Sequence, residues 1–137
     1  MSKSFSELYQ KQLLYCIQQA VDEDLSAAGD HTSKAIFPAE HQSKAKLIAK
    51  GIGVLAGVDF CKLALEQHAP NVTLNPLVPD GSLFSEGEIL LSLKGDTRDI
   101  LLLERILLNS LQRMSGIATV TQGIQESISH TNCKVLD

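Results

Sequence analysis

The residues best suited to chemistry lie close together, between Arg98 and Arg113. On a helix turning about 100° per residue, Arg98, Arg105, Asn109 and Gln112 fall in one narrow stripe, and Arg113 lies just beside it. An Arg guanidinium carries its donors in a rigid fork that fits a carboxylate or a phosphate. Carboxamides beside it add neutral donors and acceptors. The stripe therefore suits an acidic small molecule held in a cleft. The competing reading is structural: Arg105 pairs with a carboxylate of the chain or caps carbonyls. Glu104 is separate, because it projects toward Ile100, Leu107 and Leu111. A carboxylate there needs a partner, or its pKa rises. Pairing with another segment is the preferred role, ahead of a catalytic acid.

The element that must carry these side chains is a helix over 97–114. Asp96 is its N-cap, and Asp99 follows near the positive end of the dipole. Ile100, Leu103, Leu107, Leu111 and Met114 share one broad face, while Leu101, Leu102, Ile106 and Leu108 spread apolar character around the flanks. That pattern predicts burial nearly all round. Ser115-Gly116 is read as the break, followed by a second helix with Ile117, Val120, Ile124 and Ile128 on one face. Cys133–Asp137 reads as the start of a strand.

Earlier, Phe5, Tyr9, Leu13, Cys16, Ile17 and Ala20 recur at helical spacing and predict a helix over 6–21, with Ser4 or Ser6 as N-cap. The acidic stretch from Asp22 to Ser33 does not fit a calcium loop and is read as a solvated loop. Ala45, Leu47 and Ala49 alternate with Lys44, Lys46, Ile48 and Lys50, which marks a strand with one wetter face. Gly51, Gly53 and Gly57 are not a phosphate loop, since no Lys-Ser/Thr follows. A short helix is expected over 58–67 and strands over 72–74 and 89–93. Asp80-Gly81 and Glu86-Gly87 make turns around Leu83-Phe84. Together these strands suggest a small β-sandwich.

The 137 residues, 44% hydrophobic and 20% charged, suffice for one domain with a core. A net charge of −4 with no basic cluster argues against nucleic acid or an anionic membrane as partner. No apolar run approaches the roughly 20 residues of a membrane span. Met1-Ser2-Lys3-Ser4 lacks the apolar stretch of a signal peptide, so a cytoplasmic location is expected. Cys16, Cys61 and Cys133 match no metal or disulfide spacing and are read as small buried hydrophobes.

The run Glu104-Arg105-Ile106-Leu107-Leu108-Asn109-Ser110-Leu111-Gln112-Arg113-Met114-Ser115-Gly116-Ile117-Ala118-Thr119 closely resembles the signature of quinolinate phosphoribosyltransferases. Glu23-Asp24-Leu25, Gly29-Asp30-His31-Thr32-Ser33, Gly53-Val54-Leu55-Ala56-Gly57, Asp80-Gly81, Glu86-Gly87 and Gly95 resemble further family motifs in the same order.

The resemblance implies an α+β fold: an open-faced α/β sandwich over 1–112, then the first helix and strand of an α/β barrel over 113–137. It implies a reaction in which quinolinate and phosphoribosyl pyrophosphate, with Mg²⁺, give nicotinate mononucleotide, pyrophosphate and CO₂. It further implies a homodimer whose active sites are shared between subunits, with Arg105 reaching across to quinolinate. Asn109, Gln112, Arg113 and Glu104 are the supporting candidates. The remaining substrate and metal ligands lie beyond the resembling stretch, so the chain alone is expected to be inactive. Two alternatives share some of these features: a sister phosphoribosyltransferase of the molybdate-transport-associated type, and a non-enzymatic carrier-like β-sandwich module.

Overall fold

A computed structural model describes residues 3–24 and 31–135. In chain order the elements are α1 (Lys3–Asp24), α2 (His31–Ile36), β1 (Gln42–Ile48), β2 (Gly53–Val54), α3 (Val58–His68), β3 (Thr73–Pro76), β4 (Leu83–Phe84), β5 (Ile89–Asp96) and α4 (Thr97–Ser127).

Three strands form an antiparallel sheet in the order β1-β5-β3, and β2 pairs with β4 in a separate two-stranded ribbon. The register follows from the alternation seen in the sequence. Ala45 pairs with Leu93 and Leu47 with Leu91, and Leu74 lies opposite Leu93 from the other side. These side chains turn toward α3 and α4. Lys44, Lys46 and Lys94 turn the other way, and the sheet face they occupy is exposed at those positions. The architecture is therefore α+β with helices on one side of an open-faced sheet. The expected sandwich of two packed β-sheets is not what forms, because the apolar face of the sheet meets helices instead.

The core gathers Leu55, Cys61 and Ala64 with Leu91, Leu93, Ile100, Leu103, Leu107 and Leu111. Leu103 is fully buried, which contributes about 2 kcal/mol of transfer free energy. Gly95 shows how tightly the layers meet: a Cβ there would lie 2.6 Å from the Asn71 carbonyl oxygen.

Several expectations need correction. α1 begins at Lys3, so Ser4 and Ser6 fall inside the helix and neither caps it. Among its described side chains Ile17 and Val21 are buried, whereas Tyr9 and Cys16 are exposed. Of the predicted face, Ile17 is fully buried and Ala20 packs against the core, so α1 meets the core near its C-terminal end. The acidic stretch is also less loop-like than expected, since Asp22–Asp24 extend α1 and His31 opens α2; 25–30 lie outside the described residues. Only Cys61 is a buried thiol, and Cys133 is exposed with Cys16. Residues 133–135 form no strand. The largest correction concerns α4, which runs unbroken for 31 residues through Ser115-Gly116. It is also one-sided, with Leu101, Glu104, Arg105, Asn109, Gln112 and Arg113 all exposed. No helix among the described residues is long and apolar enough to cross a membrane.

Candidate functional site

The polar stripe rides on α4, so the anchoring of α4 sets its position. At the start of the helix the Asp96 carboxylate accepts from the Arg98 amide at 2.8 Å and the Asp99 amide at 3.3 Å, as a capping side chain should. The buried Thr97 hydroxyl lies 2.7 Å from His41 Nδ1 and 2.6 Å from Ser43 Oγ, which ties the first turn to β1. Burial, and then the neighbouring Asp96 carboxylate, raise the pKa of Asp99.

Arg98 points back into the fold. Its Nε and Nη2 donate to the Phe37 carbonyl at 3.0 and 2.5 Å, and Nη2 also donates to the Lys34 carbonyl at 3.2 Å. Carbonyls at the end of a helix lack intrahelical partners, and a cation there satisfies them. Arg98 thus clamps the end of α2 to α4 and leaves the ligand stripe.

The second half of α4 is held by hydroxyls. Ser115 Oγ accepts from the Ala56 amide at 3.0 Å and lies 3.3 Å from the Ala56 carbonyl. One turn on, Thr119 Oγ1 accepts from the Val54 amide at 2.9 Å and donates to the Ser115 carbonyl at 2.6 Å. The Ser-Gly pair read as a helix break is in fact a docking device. Ser115 and Thr119 stand four residues apart on one face and serve the backbone of β2 and the residues after it, while Gly116 has open space around it.

Glycines make that approach possible. A Cβ on Gly53 would come within 2.8 Å of Thr119 Oγ1 and 3.0 Å of Phe84. Gly57 has φ +109°, and a Cβ there would meet Met114 Cε at 2.9 Å. Asp80 completes the node. Its carboxylate accepts from the Gly57 amide at 3.2 Å and the Val58 amide at 3.0 Å, so it caps α3 from a distant loop. Asp80 also adds to burial in pushing the Cys61 thiol up to about 12. Sequence reading missed these roles for Ser115, Thr119 and Asp80. The spacing of four between the hydroxyls was the available signal.

What remains on the stripe is Arg105, Asn109, Gln112 and Arg113, all exposed on the side of α4 away from Leu103 and Leu107. Arg105 also takes part in an interaction within the chain. Glu104 sits where expected, in the wall of a cavity of about 360 Å³ that Ile100, Leu107 and Leu111 also line. It is exposed there, so burial does not force the partner anticipated for it. Gln112 lines a neighbouring cavity of about 370 Å³ with Leu111, Ser115 and Thr119. Among the described residues no three His, Cys, Asp or Glu side chains gather as a metal site. Chemically, the arrangement offers a well-anchored helix with two guanidiniums and two carboxamides exposed along one stripe.

A family profile described as the N-terminal domain of quinolinate phosphoribosyl transferase matches residues 30–115. The chain belongs to that family. It is 33% identical over 111 residues to quinolinate phosphoribosyltransferase [decarboxylating] 1b of Nicotiana tabacum, which covers 81% of the chain and 32% of that relative. It is 33% identical over 123 residues to the carboxylating nicotinate-nucleotide pyrophosphorylase of Mycobacterium leprae, covering 88% of the chain and 43% of the relative. The solved nicotinate-nucleotide pyrophosphorylase of Francisella tularensis superposes with a TM-score of 0.81 at 29% identity, over 88% of this chain and 42% of that one. The chain thus spans a third to less than a half of the length of these relatives. Family membership removes the carrier-module alternative.

Proposed function

We propose that this chain serves as the amino-terminal part of a quinolinate phosphoribosyltransferase, which forms nicotinate mononucleotide, pyrophosphate and CO₂ from quinolinate and phosphoribosyl pyrophosphate. In this reading 1–112 are the sandwich domain and 113–137 lead into the barrel. Arg105 reaches the quinolinate bound by the barrel of a second subunit in a homodimer, and Asn109, Gln112, Arg113 and Glu104 support it. The location proposed is cytoplasmic, although relatives in plants include mitochondrial and chloroplastic proteins.

One observation carries the reading. The polar stripe of α4 retains exposed amides and cations after the fold has used Arg98, Ser115 and Thr119 for its own packing. Quinolinate carries two carboxylates, and a guanidinium fork on a rigid helix meets one of them bidentately. A fixed cation in a closed site also stabilises charge that develops as the ring carboxylate departs. Mg²⁺ accompanies the diphosphate substrate in this proposal. The described residues do not fit it, since no metal-ligating group forms among them, and no step here depends on it.

The test is made in a full-length family polypeptide carrying this chain as its amino-terminal part. Arg105→Ala raises the KM for quinolinate by about 100-fold, the equivalent of losing one charged hydrogen-bonded contact, while the KM for phosphoribosyl pyrophosphate moves far less. Mixing Arg105→Ala subunits with subunits inactivated in the barrel restores part of the activity if sites are shared. Equal effects on both KM values, or no restoration, contradict the assignment. The chain of 137 residues assayed alone shows no nicotinate mononucleotide formation.

A further inference from the structure

We propose that the cavity between the sheet and α4 is a binding site for an uncharged, mainly apolar small molecule of about a dozen non-hydrogen atoms that carries one hydrogen-bonding group. The cavity measures about 360 Å³. One wall is the inner face of the sheet, with residues of β1, β5 and β3, and the other is α4, through Ile100, Leu107 and Leu111. The sequence leaves this space open at β1. Ser43 and Ala45 are small, whereas Leu47, Leu91 and Leu93 fill the neighbouring inner positions. Ser43, Ala45 and Leu47 all face the helix layer, yet none of them is fully buried.

Size and lining define the ligand. Close-packed interiors hold few voids larger than a water molecule. Ligand sites run from about 300 to 1,000 Å³ and are mostly apolar, with a few placed polar groups. An apolar space of about 150 Å³ admits benzene, so this one has room for a bicyclic aromatic. Its polar groups gather at one end. Ser43 Oγ and Thr97 Oγ1 line the cavity 2.6 Å apart, and Thr97 Oγ1 also lies 2.7 Å from His41 Nδ1. Thr97 is therefore engaged twice, while the Ser43 hydroxyl has that one partner and keeps a site for a ligand hydroxyl.

Charge excludes an ionic ligand. Lys44 and Lys46 take the outer face of the sheet, so no cationic side chain among the lining residues turns inward. Glu104 and Leu101, both exposed, mark the mouth on α4, and the carboxylate there repels an anion on entry. A charge carried between two apolar walls without a partner loses its hydration uncompensated. An uncharged hydroxyl needs only the Ser43 site, and the ring system takes the place of water against the leucines. The inference is independent of the function proposed above, because it uses neither Arg105 nor any substrate of that reaction.

The experiment titrates the purified, methyl-labelled chain with 2-naphthol, naphthalene and 2-naphthoate, read by nuclear magnetic resonance. 2-Naphthol gives intermolecular Overhauser contacts to the methyls of Leu93 and Leu107, and the anionic 2-naphthoate binds at least about tenfold more weakly. Ser43→Ala weakens 2-naphthol about fivefold, the worth of one neutral hydrogen bond, and leaves naphthalene unchanged. Ala45→Leu fills the space, and binding of both neutral ligands is lost. Should that variant not fold, the contacts in the unsubstituted chain decide the matter. Absence of those contacts, equal affinity for 2-naphthoate, a Ser43→Ala effect that is nil or the same for both neutral ligands, or undiminished binding to folded Ala45→Leu overturns the proposal.

Discussion

Two adjacent residues, Ser115 and Gly116, should respond to alanine with opposite signs. Ser115 is buried, and its hydroxyl is the partner of the Ala56 amide at 3.0 Å. Ser115→Ala keeps the helix but leaves that partly buried amide without an acceptor, which costs about 1 kcal/mol, the low end for an orphaned group. The weaker 3.3 Å contact to the Ala56 carbonyl is lost as well. Gly116 lies inside a continuous helix, with nothing within 4 Å of the position its Cβ would take. Gly116→Ala should therefore stabilise by about 0.5–1 kcal/mol, from helix propensity and reduced freedom of the unfolded chain. For a domain of this size each kcal/mol corresponds to about 4 °C in Tm. Urea titration followed by circular dichroism at 222 nm measures both effects. If residues 115–116 were a break between two helices, Gly116→Ala would destabilise and Ser115→Ala would be nearly silent. That pair of results refutes the docking account.

Other consequences are equally direct. Thr119→Val, nearly isosteric, should cost about 1–3 kcal/mol by orphaning the Val54 amide, and urea titration checks it. Gly57→Ala should cost at least about 1 kcal/mol, because φ is +109° and Met114 blocks the new Cβ; a neutral result would show that α3 starts differently. Cys61 is neutral in the fold up to about 12, against 9.0 for a free thiol. Below 9.0 the thiol is protonated in both states and has no effect on stability. Above it the unfolded chain ionises first, so stability falls as pH rises toward 12, by up to about 1.4 kcal/mol per pH unit. Denaturation midpoints between pH 8 and 11, compared with Cys61→Ala, isolate that slope. Iodoacetamide followed by mass spectrometry at pH 8 should label exposed Cys16 and Cys133 and spare Cys61.

Sequence periodicity was reliable where one face of an element is buried and the other wet. The strand at Lys44–Ala49, the helix at α3 and the Asp96 cap all follow from local pattern, because local pattern is what decides them. It failed where a tertiary partner overrides a local signal. Ser-Gly is a weak helix sequence in isolation, yet α4 passes through it because Ser115 and Thr119 are occupied by the backbone near β2. Arg98 sits on the same stripe as Arg105, and only the position of the α2 carbonyls assigns it a packing role. No helical wheel contains that information.

The family-like motifs then divide by what the fold consumes. Gly53–Gly57, Asp80 and Ser115–Thr119, distant in sequence, converge on one node in which glycines admit α4, hydroxyls satisfy β2 and a carboxylate caps α3. Their chemistry is spent on holding the domain together. The polar residues between those motifs, Asn109, Gln112 and Arg113, make no side-chain hydrogen bond or ion pair with another described residue, and they remain exposed beside Arg105. Asn109, Gln112 and Arg113 do nothing for packing on the side of the 31-residue helix away from the core, whereas Arg105 also interacts within the chain. In the function proposed above that stripe faces the ligand, and the node at Ser115 and Thr119, about three to four turns along α4 from Arg105, would fix the helix that carries it. Loosening the node by Thr119→Val should therefore raise the KM for quinolinate in the full-length enzyme as well as lower stability. Stability loss with unchanged KM would separate the node from the site.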